Sequence, residues 1–383
     1  MNFKKISRQV VILGMISLFT DIASEMLYPV TPIFLSSLGV AMAGIGLIEG
    51  LAEFTSGLLK GYFGAVSDKL GKRSVFVVIG YGLSALSKPL PGLIPGFAAV
   101  FIARIADRIG KGVRTAPRDA LLASYSDGNT GAVFGFHRAM DTLGAAIGPV
   151  AALGLLYFFP KNYPLIFLIA FIPSLIAVTF TLTVKDKPGA IRPRQKGHYK
   201  EFWSSSPAEY KKLVLLITLF SLVNSSDVFL ILKSKTVLHS DTLAITGYIF
   251  YNLIYAAASY PIGLAADKLG KKNVFVAGLL IFSAVYFGFG ISGQYIVMWL
   301  LFALYGIYAA STEGVAKAWV SDLIADESRG TAIGLLTMLS SLAVMAGSIL
   351  TGLLWDAFGP QIPFFISSAV SLVVALLLIF RKH

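Results

Sequence analysis

The sequence predicts an all-α integral membrane protein with about twelve transmembrane helices, arranged as two pseudo-symmetric bundles of about six helices each. Three observations predict this fold class. Hydrophobic residues make up 56% of the 383 residues and charged residues only 14%, whereas a soluble domain carries about 25% charged residues. Apolar windows long enough to cross a bilayer recur from end to end, and a ten-residue motif of the first half returns in the second.

Each span is assigned where an apolar stretch reaches about 20 residues, the length that crosses the hydrocarbon core. The first span follows a basic start and contains Asp21 and Glu25, so we interpret it as a retained helix and not as a cleaved signal. Spans 4 and 10 contain many polar residues and are expected to score poorly on hydropathy alone. The predicted spans are 10–35, 43–66, 74–91, 96–123, 132–158, 163–184, 211–234, 243–265, 273–291, 295–320, 331–355 and 362–380.

The net charge of +12 is distributed unevenly along the chain. Lysine and arginine collect in alternate connections, most densely at 69–73, 185–196 and 268–272. By the positive-inside rule these connections are cytoplasmic, and an even number of spans then places both termini in the cytoplasm. The positive charge is therefore expected to serve membrane topology and not nucleic-acid binding.

One long polar stretch divides the chain into two halves. It covers residues 185–210, "KDKPGAIRPRQKGHYKEFWSSSPAEY", and contains proline, glycine and several cations. This composition predicts a cytoplasmic linker between a first bundle at 1–184 and a second at 211–383. A basic segment next to a membrane could also contact anionic lipid.

The two halves share a sequence repeat. "GAVSDKLGKR" at 64–73 returns as "GLAADKLGKK" at 263–272, so that Asp68 corresponds to Asp267. The same register aligns "GAVFG" in the first half with "GTAIG" in the second. Two parallel repeats are typical of one large class of membrane transporters.

The chain resembles the major facilitator superfamily over its full length. The decapeptide at 64–73 is similar to that family's signature loop between helices 2 and 3. The matching positions are Gly64, Asp68, Gly71 and Arg73. Arg104 is similar to the arginine of the family's helix-4 motif, although Asp107 and Arg108 stand near where many members have glutamine and glycine.

A second stretch resembles a motif of drug/proton antiporters. "GFHRAMDTLGAAIGP", residues 135–149, is similar to their helix-5 motif. Gly135, Gly144, Gly148 and Pro149 hold its spacing, whereas alanine and leucine replace its closing glycine pair. This resemblance implies an exporter coupled to protons.

The family resemblance also implies a gate on the cytoplasmic side. Asp68 would face the start of span 11 near Gly330, and Asp267 would face the start of span 5 near Gly131. A carboxylate at a helix N-terminus gains roughly 0.3–1 kcal/mol, and these contacts would break when that side opens. The predicted gating residues are Asp68, Arg73, Arg118, Asp267, Gly144, Gly148 and Pro149.

The segment "RIADRIGKGVR", residues 104–114, places cations inside span 4. On a helix with about 100° per residue, the charges of this region share an arc of roughly 120°. An ion that faces lipid costs at least about 2.5–3.5 kcal/mol, so this face must look into a cavity or toward acids on neighbouring helices. Its charged residues are Arg104, Asp107, Arg108, Lys111, Arg114 and Arg118.

Acidic residues that could pair with these cations occur in the same half. They are Asp21, Glu25, Glu49, Glu53, Asp119 and Asp141. Three interpretations stay open. The cations could bind an anionic group of a substrate, for which arginine offers bidentate geometry. One or more acids could carry a transported proton. The charges could also pair only to stabilise the bundle.

The second half carries fewer charges within its spans. Asn224, Asp227, Asn252 and Glu313 are the predicted polar groups of its cavity. Asn252 corresponds to Glu53 in the repeat register, so this acidic position occurs in the first half only. Proton chemistry is therefore expected to concentrate in the first half.

The sequence contains no cysteine, no Walker loop and no histidines at metal-ligand spacing. We therefore expect no cofactor, no metal site and no enzymatic activity. The resemblance implies a secondary active transporter that works by alternating access, with proton-coupled efflux of a small organic compound favoured. The cationic stripe favours an anionic or metal-chelating substrate.

Two alternatives to proton-coupled efflux stay open. One is a proton-coupled importer of an anionic nutrient or metabolite, and the other is a membrane sensor that does not transport. The expected partners are a small-molecule substrate, protons and the lipid bilayer, with no nucleic acid. We expect a monomer in the bacterial inner membrane.

Overall fold

The computed structural model of the protein describes residues 7–125, 130–187, 199–324 and 329–380. Every regular element in these ranges is a helix. The helices are α1 (Arg8–Leu27), α2 (Val30–Ser37), α3 (Met42–Leu70), α4 (Arg73–Ser87), α5 (Leu90–Leu93), α6 (Phe97–Ser124), α7 (Thr130–Phe158), α8 (Tyr163–Thr181), α9 (Tyr199–Ser205), α10 (Ala208–Ser221), α11 (Val228–Leu238), α12 (Asp241–Leu269), α13 (Lys271–Ile291), α14 (Tyr295–Asp322), α15 (Arg329–Phe358) and α16 (Gln361–Ile379).

Nine helical segments of the described chain are long and apolar enough to cross a membrane, and a tenth is added if the bent helix α12 counts as one span. The charged helix α6 is not among them, as its composition predicts. Span 7 fails the same test because residues 222–227 separate it into α10 and α11, whose 14 and 11 residues are each too short. The expectation for span 10 is wrong, since Tyr295–Val320 passes on length and composition.

Two of the predicted spans are broken at corresponding positions. Span 1 divides into α1 and α2 at Tyr28 and Pro29, and span 7 divides into α10 and α11 across residues 222–227. The register that pairs Asp68 with Asp267 also pairs Tyr28 with Asp227. The span predicted at 211–234 therefore consists of two helices, α10 and α11.

The break in span 7 follows from its local sequence, "NSSD". Asparagine, serine and aspartate side chains bond to nearby backbone groups and compete with helical hydrogen bonds. The freed backbone finds another partner here, because the N–H of Ser226 donates to Oγ of Ser348 on α15 at 3.1 Å. Irregular backbone at membrane depth is tolerated where protein surrounds it.

The described helices belong to two compact units. The first comprises Met1–Gly39 and Leu51–Gln195, and the second comprises Val40–Gly50 and Lys196–His383. In the first unit α1 packs on α7 and α8, and α4 packs on α6. In the second unit α12 and α13 pack on α14, and α13 also packs on α16.

Small residues let α1 and α7 approach closely in the first unit. A Cβ atom added at Gly144 would lie 2.6 Å from the carbonyl oxygen of Leu18, and one added at Gly148 would lie 2.5 Å from that of Ile22. Both distances are shorter than any normal contact. Gly144 and Gly148 of the helix-5 motif are therefore required for the contact between these two backbones.

Aromatic side chains fill the core of the second unit. The rings of Phe282 and Tyr286 stack with centroids 3.9 Å apart, and Phe220 meets Phe282 edge-on at 5.0 Å. The first turn of α3 also belongs to this unit. Its N–H groups at Met42 and Ala43 donate to the Asp356 carboxylate at 2.9 and 2.7 Å. Such pairing satisfies the donors that every helix start leaves open.

Within the predicted linker at 185–210 the structure describes residues 185–187 and 199–210. Asp186 accepts hydrogen bonds from the backbone N–H groups of Arg73 and Ser74 at 2.9 and 3.0 Å, and so caps α4. Burial, with a contribution from the Asp186 charge, raises the pKa of Tyr125. The helix α9 packs on the second unit, where Phe202 meets Tyr210 edge-on at 5.5 Å.

Replacement of Gly144 by alanine is expected to destabilise the protein by about 1–3 kcal/mol, because the added methyl group overpacks the contact between α1 and α7. Gly154 on the same helix provides the matched control, since a Cβ atom there meets nothing within 4 Å. Gly154→Ala should leave stability unchanged or raise it slightly, because alanine favours helix. Thermal unfolding of both purified variants in detergent checks this. Equal melting temperatures would contradict the packing argument.

Candidate functional site

The charged face of α6 lies largely within the first unit. The Arg104, Asp107 and Arg114 side chains are buried, with 9%, 9% and 5% of each residue exposed. The other three cations of the predicted stripe, Arg108, Lys111 and Arg118, are half-buried. An apolar medium cannot solvate these ions, so each needs protein partners.

The central contact of this region joins Lys88 to Asp107. Lys88 Nζ lies 2.9 Å from Asp107 Oδ1 and 3.1 Å from Oγ of Ser24 on α1. Ser84 on α4 donates a further short hydrogen bond to the same carboxylate. The pair therefore ties the junction of α4 and α5 to α6 and α1. Only 4% of Lys88 is exposed.

Lys88 escaped prediction, although it is one of the most buried charges of the described chain. A lysine near the end of a predicted span is normally interpreted as an interfacial cation. Only the neighbouring sequence "SALSKPLPG" could have indicated that Lys88 is buried, because it contains two prolines. Pro89 and Pro91 break the helix after Lys88, so that its side chain turns inward beside α6.

A small cavity opens beside this ion pair, within the first unit. Its volume is about 30 Å³, which is enough for a water molecule. Polar side chains that line it include Ser24, Thr31, Lys88, Arg104 and Asp107. The guanidinium of Arg104 also lies 5.2 Å from the ring centre of Tyr28, at the break between α1 and α2.

Arg114 contacts α4. Its guanidinium lies 4.3 Å from the ring centre of Tyr81, and its Nη1 donates to the carbonyl oxygen of Gly80 at 3.5 Å. A Cβ atom at Gly80 would clash with Arg114 at 2.6 Å. These contacts fix the packing of α4 against α6.

Acidic side chains lie on α1 and α7 opposite the α6 cations. The Cβ atom of Asp21 adjoins Gly144, and that of Glu25 adjoins Gly148. Asp141, three residues before Gly144, accepts a short hydrogen bond from Ser17 of α1. Asp21 interacts electrostatically with Asp141, Glu25 and Lys111.

Glu53 on α3 is a further acid of the first unit that lies near the α6 cations. It interacts electrostatically with Arg108 and Lys111. The Nε atom of Arg108 is buried without a hydrogen-bond partner in the described part of the chain. Glu49, four residues before Glu53, is 6% exposed and belongs by its contacts to the second unit.

The predicted gating residues are described only in part. The side chain of Asp68 is not described, and neither are the surroundings of Gly330 and Gly131, with which the two gate contacts are predicted. Asp267 is exposed on α12. Arg118 Nε donates to the adjacent Asp119 at 2.9 Å.

Two predicted acids of the second unit accept hydrogen bonds from tyrosines. Tyr305 donates to Asp227 at 2.6 Å, beside the break in span 7, and Tyr255 donates to Glu313 at 2.9 Å. Asn252 donates to the backbone oxygen of Tyr248 on its own helix.

Two further polar groups of the second unit are buried. The Oδ1 atom of Asn224 is buried and has no hydrogen-bond partner within the described ranges. Lys233, which the sequence did not single out, is 6% exposed. Among the described residues, no group of acidic or histidine side chains is arranged to hold a metal ion.

Helices that cross a membrane, charges buried inside them and two broken spans in corresponding positions define a polytopic membrane transporter. The model of the Major Facilitator Superfamily matches residues 13–251 and 235–383 of the chain. The protein therefore belongs to the Major Facilitator Superfamily. The predicted fold class, with two repeats of six helices, is confirmed, and the protein is a transporter and not an enzyme.

Several known proteins are similar along nearly the whole chain. An uncharacterised MFS-type transporter of Methanocaldococcus jannaschii is 35% identical, with 99% of this chain and 96% of that protein covered. The quinolone resistance protein NorA of Staphylococcus aureus is 23% identical, with 93% and 92% covered. The crystal structure of the nucleoside transporter NupG superposes with a TM-score of 0.82 at 14% identity, and covers 98% of this chain and 100% of that one.

Replacement of Lys88 by methionine is expected to destabilise the protein by about 3–5 kcal/mol, because it leaves the Asp107 carboxylate buried without its cation. The double variant Lys88→Met, Asp107→Asn should recover much of this loss. Lys235→Met is the matched control, since its pair with Asp241 at 3.1 Å is more exposed and contributes about 1 kcal/mol or less. Thermal unfolding of the three purified variants measures the difference. A Lys88→Met protein as stable as the control would show that the pair is not required.

Proposed function

We propose that the protein exports small organic compounds in exchange for protons, by alternating access. One observation carries this proposal, namely the mixed network of carboxylates and cations inside the first unit. Its acids are Asp21, Glu25, Glu53, Asp107 and Asp141, and its cations come from α6 and from Lys88. Ionisable side chains within transmembrane segments are costly, and they commonly mark ion or proton pathways.

Paired charges suit a coupling site because protonation of an acid removes the negative charge that attracts its partner cation. When Glu53 gains a proton, the attraction that holds Arg108 and Lys111 is lost, and those cations become available to other anions. An acid that alternates between a cation and a proton can thus link proton movement to substrate binding. The break at Tyr28 and Pro29 divides span 1 beside this network, and we propose it as the point at which the span bends during the transport cycle.

The relatives support export as the direction of transport. NorA is described as a quinolone resistance protein, and it aligns with almost the full chain. A Bacillus subtilis protein described as multidrug resistance protein 2 is 30% identical over 118 residues. The close contact of Gly144 and Gly148 with α1 agrees with the helix-5 pattern of drug/proton antiporters.

The substrate class follows from the cations of α6. Arg104 and Arg108 lie in the same helical stripe as Lys111, and guanidinium groups bind carboxylates in a bidentate manner. The buried, unpaired Nε of Arg108 provides a donor for such a group. We therefore propose substrates with an anionic or metal-chelating group.

The proposal includes a topology. The basic connections at 69–73 and 268–272 would lie in the cytoplasm with both termini, and the protein would act as a monomer in the cell membrane. Because the chain has no cysteine, single cysteines introduced at positions 161 and 268 can be labelled selectively. Labelling of position 161 from outside and 268 from inside would agree with this topology, and the reverse would contradict it.

Proteoliposomes with an internal pH dye test the transport cycle. A quinolone, an organic acid and a metal chelate are added one at a time, and at least one should drive proton movement through the wild-type protein. Glu25→Gln or Glu53→Gln should reduce this coupled flux by about tenfold or more, because glutamine cannot exchange a proton. Glu201→Gln, on the exposed helix α9, is the control. Proton movement unchanged in both variants would exclude these acids, and none in the wild type would exclude proton coupling.

Arg108→Ala should weaken binding of an organic acid by about tenfold while it changes binding of a neutral analogue much less, since a charge-assisted hydrogen bond contributes roughly 1.5–3 kcal/mol. Lys200→Ala, an exposed cation on α9, is the control. Binding is measured by titration calorimetry of the purified protein in detergent. An equal loss for both ligands would indicate that Arg108 only stabilises the bundle.

A further inference from the structure

His137 on α7 lies outside every site described so far. It is one of only four histidines in the chain. The sequence contains no second histidine at metal-ligand spacing, so no role was expected for it. In the structure His137 is 4% exposed, which is unusual for a side chain that carries two polar nitrogen atoms.

One nitrogen of His137 contacts an acid of the proposed coupling network. Nδ1 lies 3.5 Å from Oδ2 of Asp141, one helical turn further along α7. The other oxygen of Asp141, Oδ1, accepts the short hydrogen bond from Ser17 of α1. The carboxylate is thus held between α1 and the imidazole.

The other nitrogen of His137 is left without a partner. Nε2 is buried and makes no hydrogen bond within the described part of the chain. Buried polar atoms are nearly always paired, so an unpaired one needs an explanation. An imidazole that served only to pack would bury Nε2 at a cost in free energy that no hydrogen bond offsets.

The charged groups around His137 come from two helices. Arg118 and Asp119 act on it from α6, and Asp141 and Arg138 act on it from α7. From α1 its neighbour Asp141 is met by the uncharged Ser17. Asp119, five residues before the end of α6, has 43% of its side chain exposed.

Asp141 also borders the interior acids. Asp21 adjoins Gly144, which lies three residues after Asp141, and the two carboxylates interact electrostatically. Along the contact of α1 and α7, the titratable side chains therefore follow one another in the order Glu25, Asp21, Asp141 and His137. Beyond His137 lies the solvent-exposed end of α6 at Asp119.

We propose that His137 is a proton-transfer site that connects Asp141 with solvent at the end of α6. This inference rests on the proposed proton coupling and deepens it. A proton on Oδ2 of Asp141 passes to Nδ1 of the neutral imidazole, which leaves a carboxylate and an imidazolium. The imidazolium then releases the proton on Nε2 to a water molecule that reaches this buried nitrogen from the end of α6. The net result is the transfer of one proton from Asp141 to water at the end of α6. The imidazole then carries its proton on Nδ1, until exchange with water returns a proton to Nε2.

Transport driven by a pH gradient tests this step in proteoliposomes. The probe is the compound that drives the largest proton flux through the wild-type protein. His137→Gln should lower gradient-driven transport by about tenfold, while exchange of labelled for unlabelled probe, which needs no net proton transfer, stays within about twofold. The matched control is His239→Gln, since His239 is exposed at the end of α11.

Three outcomes separate the two proposals. Loss of gradient-driven transport with intact exchange supports the role of His137. Unchanged gradient-driven transport and an unchanged pH profile in His137→Gln would overturn that role and leave the proposed function standing. A wild-type protein without any dependence on the gradient would overturn both.

A spectroscopic measurement tests the proposal even if His137→Gln fails to fold. Replacement of His198, His239 and His383 by glutamine leaves His137 as the single histidine, whose ¹⁵N signals can be followed in nanodiscs. We expect both nitrogens to titrate within the pH range in which transport is coupled, and Asp141→Asn to shift that titration. A signal that stays in one protonation state throughout this range, or ignores Asp141→Asn, would overturn the proposal.

Discussion

The first unit depends on one constraint: ions inside a membrane protein must find partners within the protein. The α6 helix carries a stripe of cations that lipid cannot solvate. Lys88 and Asp107 meet this constraint most directly, because their contact at 2.9 Å ties α4, α6 and α1 together. Arg114 adds a second tie, against Tyr81 of α4. Packing and electrostatics are therefore linked here, since Lys88, Asp107 and Arg114 also join helices to one another.

The repeat preserves the backbone plan and not the chemistry. Both units break a span at the same register position, Tyr28 in one and Asp227 in the other. In the first unit the break lies beside a cation, Arg104. In the second unit it bonds to Tyr305, within a core of aromatic rings. The two units therefore surround the same break with different side chains, a cation in the first and tyrosines in the second.

The contact of α1 with α7 combines tight packing with titratable groups. Gly144 and Gly148 bring the two backbones together, and the same approach brings Asp21 and Glu25 alongside α7. The glycines of the helix-5 motif thus have two consequences, a close helix pair and a row of acids that ends at His137. A larger residue at either glycine would separate the acids as well as the helices.

Composition and local pattern alone determined the membrane class, the repeat, the family and the charged face of α6, because apolar length and helical spacing are properties of neighbouring residues. The acids of the first half could be named for the same reason. Only the tertiary structure decided which charges meet. Lys88 and His137 escaped prediction because their partners come from distant segments or depend on burial, and the break in span 7 overrode an apolar pattern. Contacts between helices arise from packing in three dimensions, which spacing along one chain does not encode.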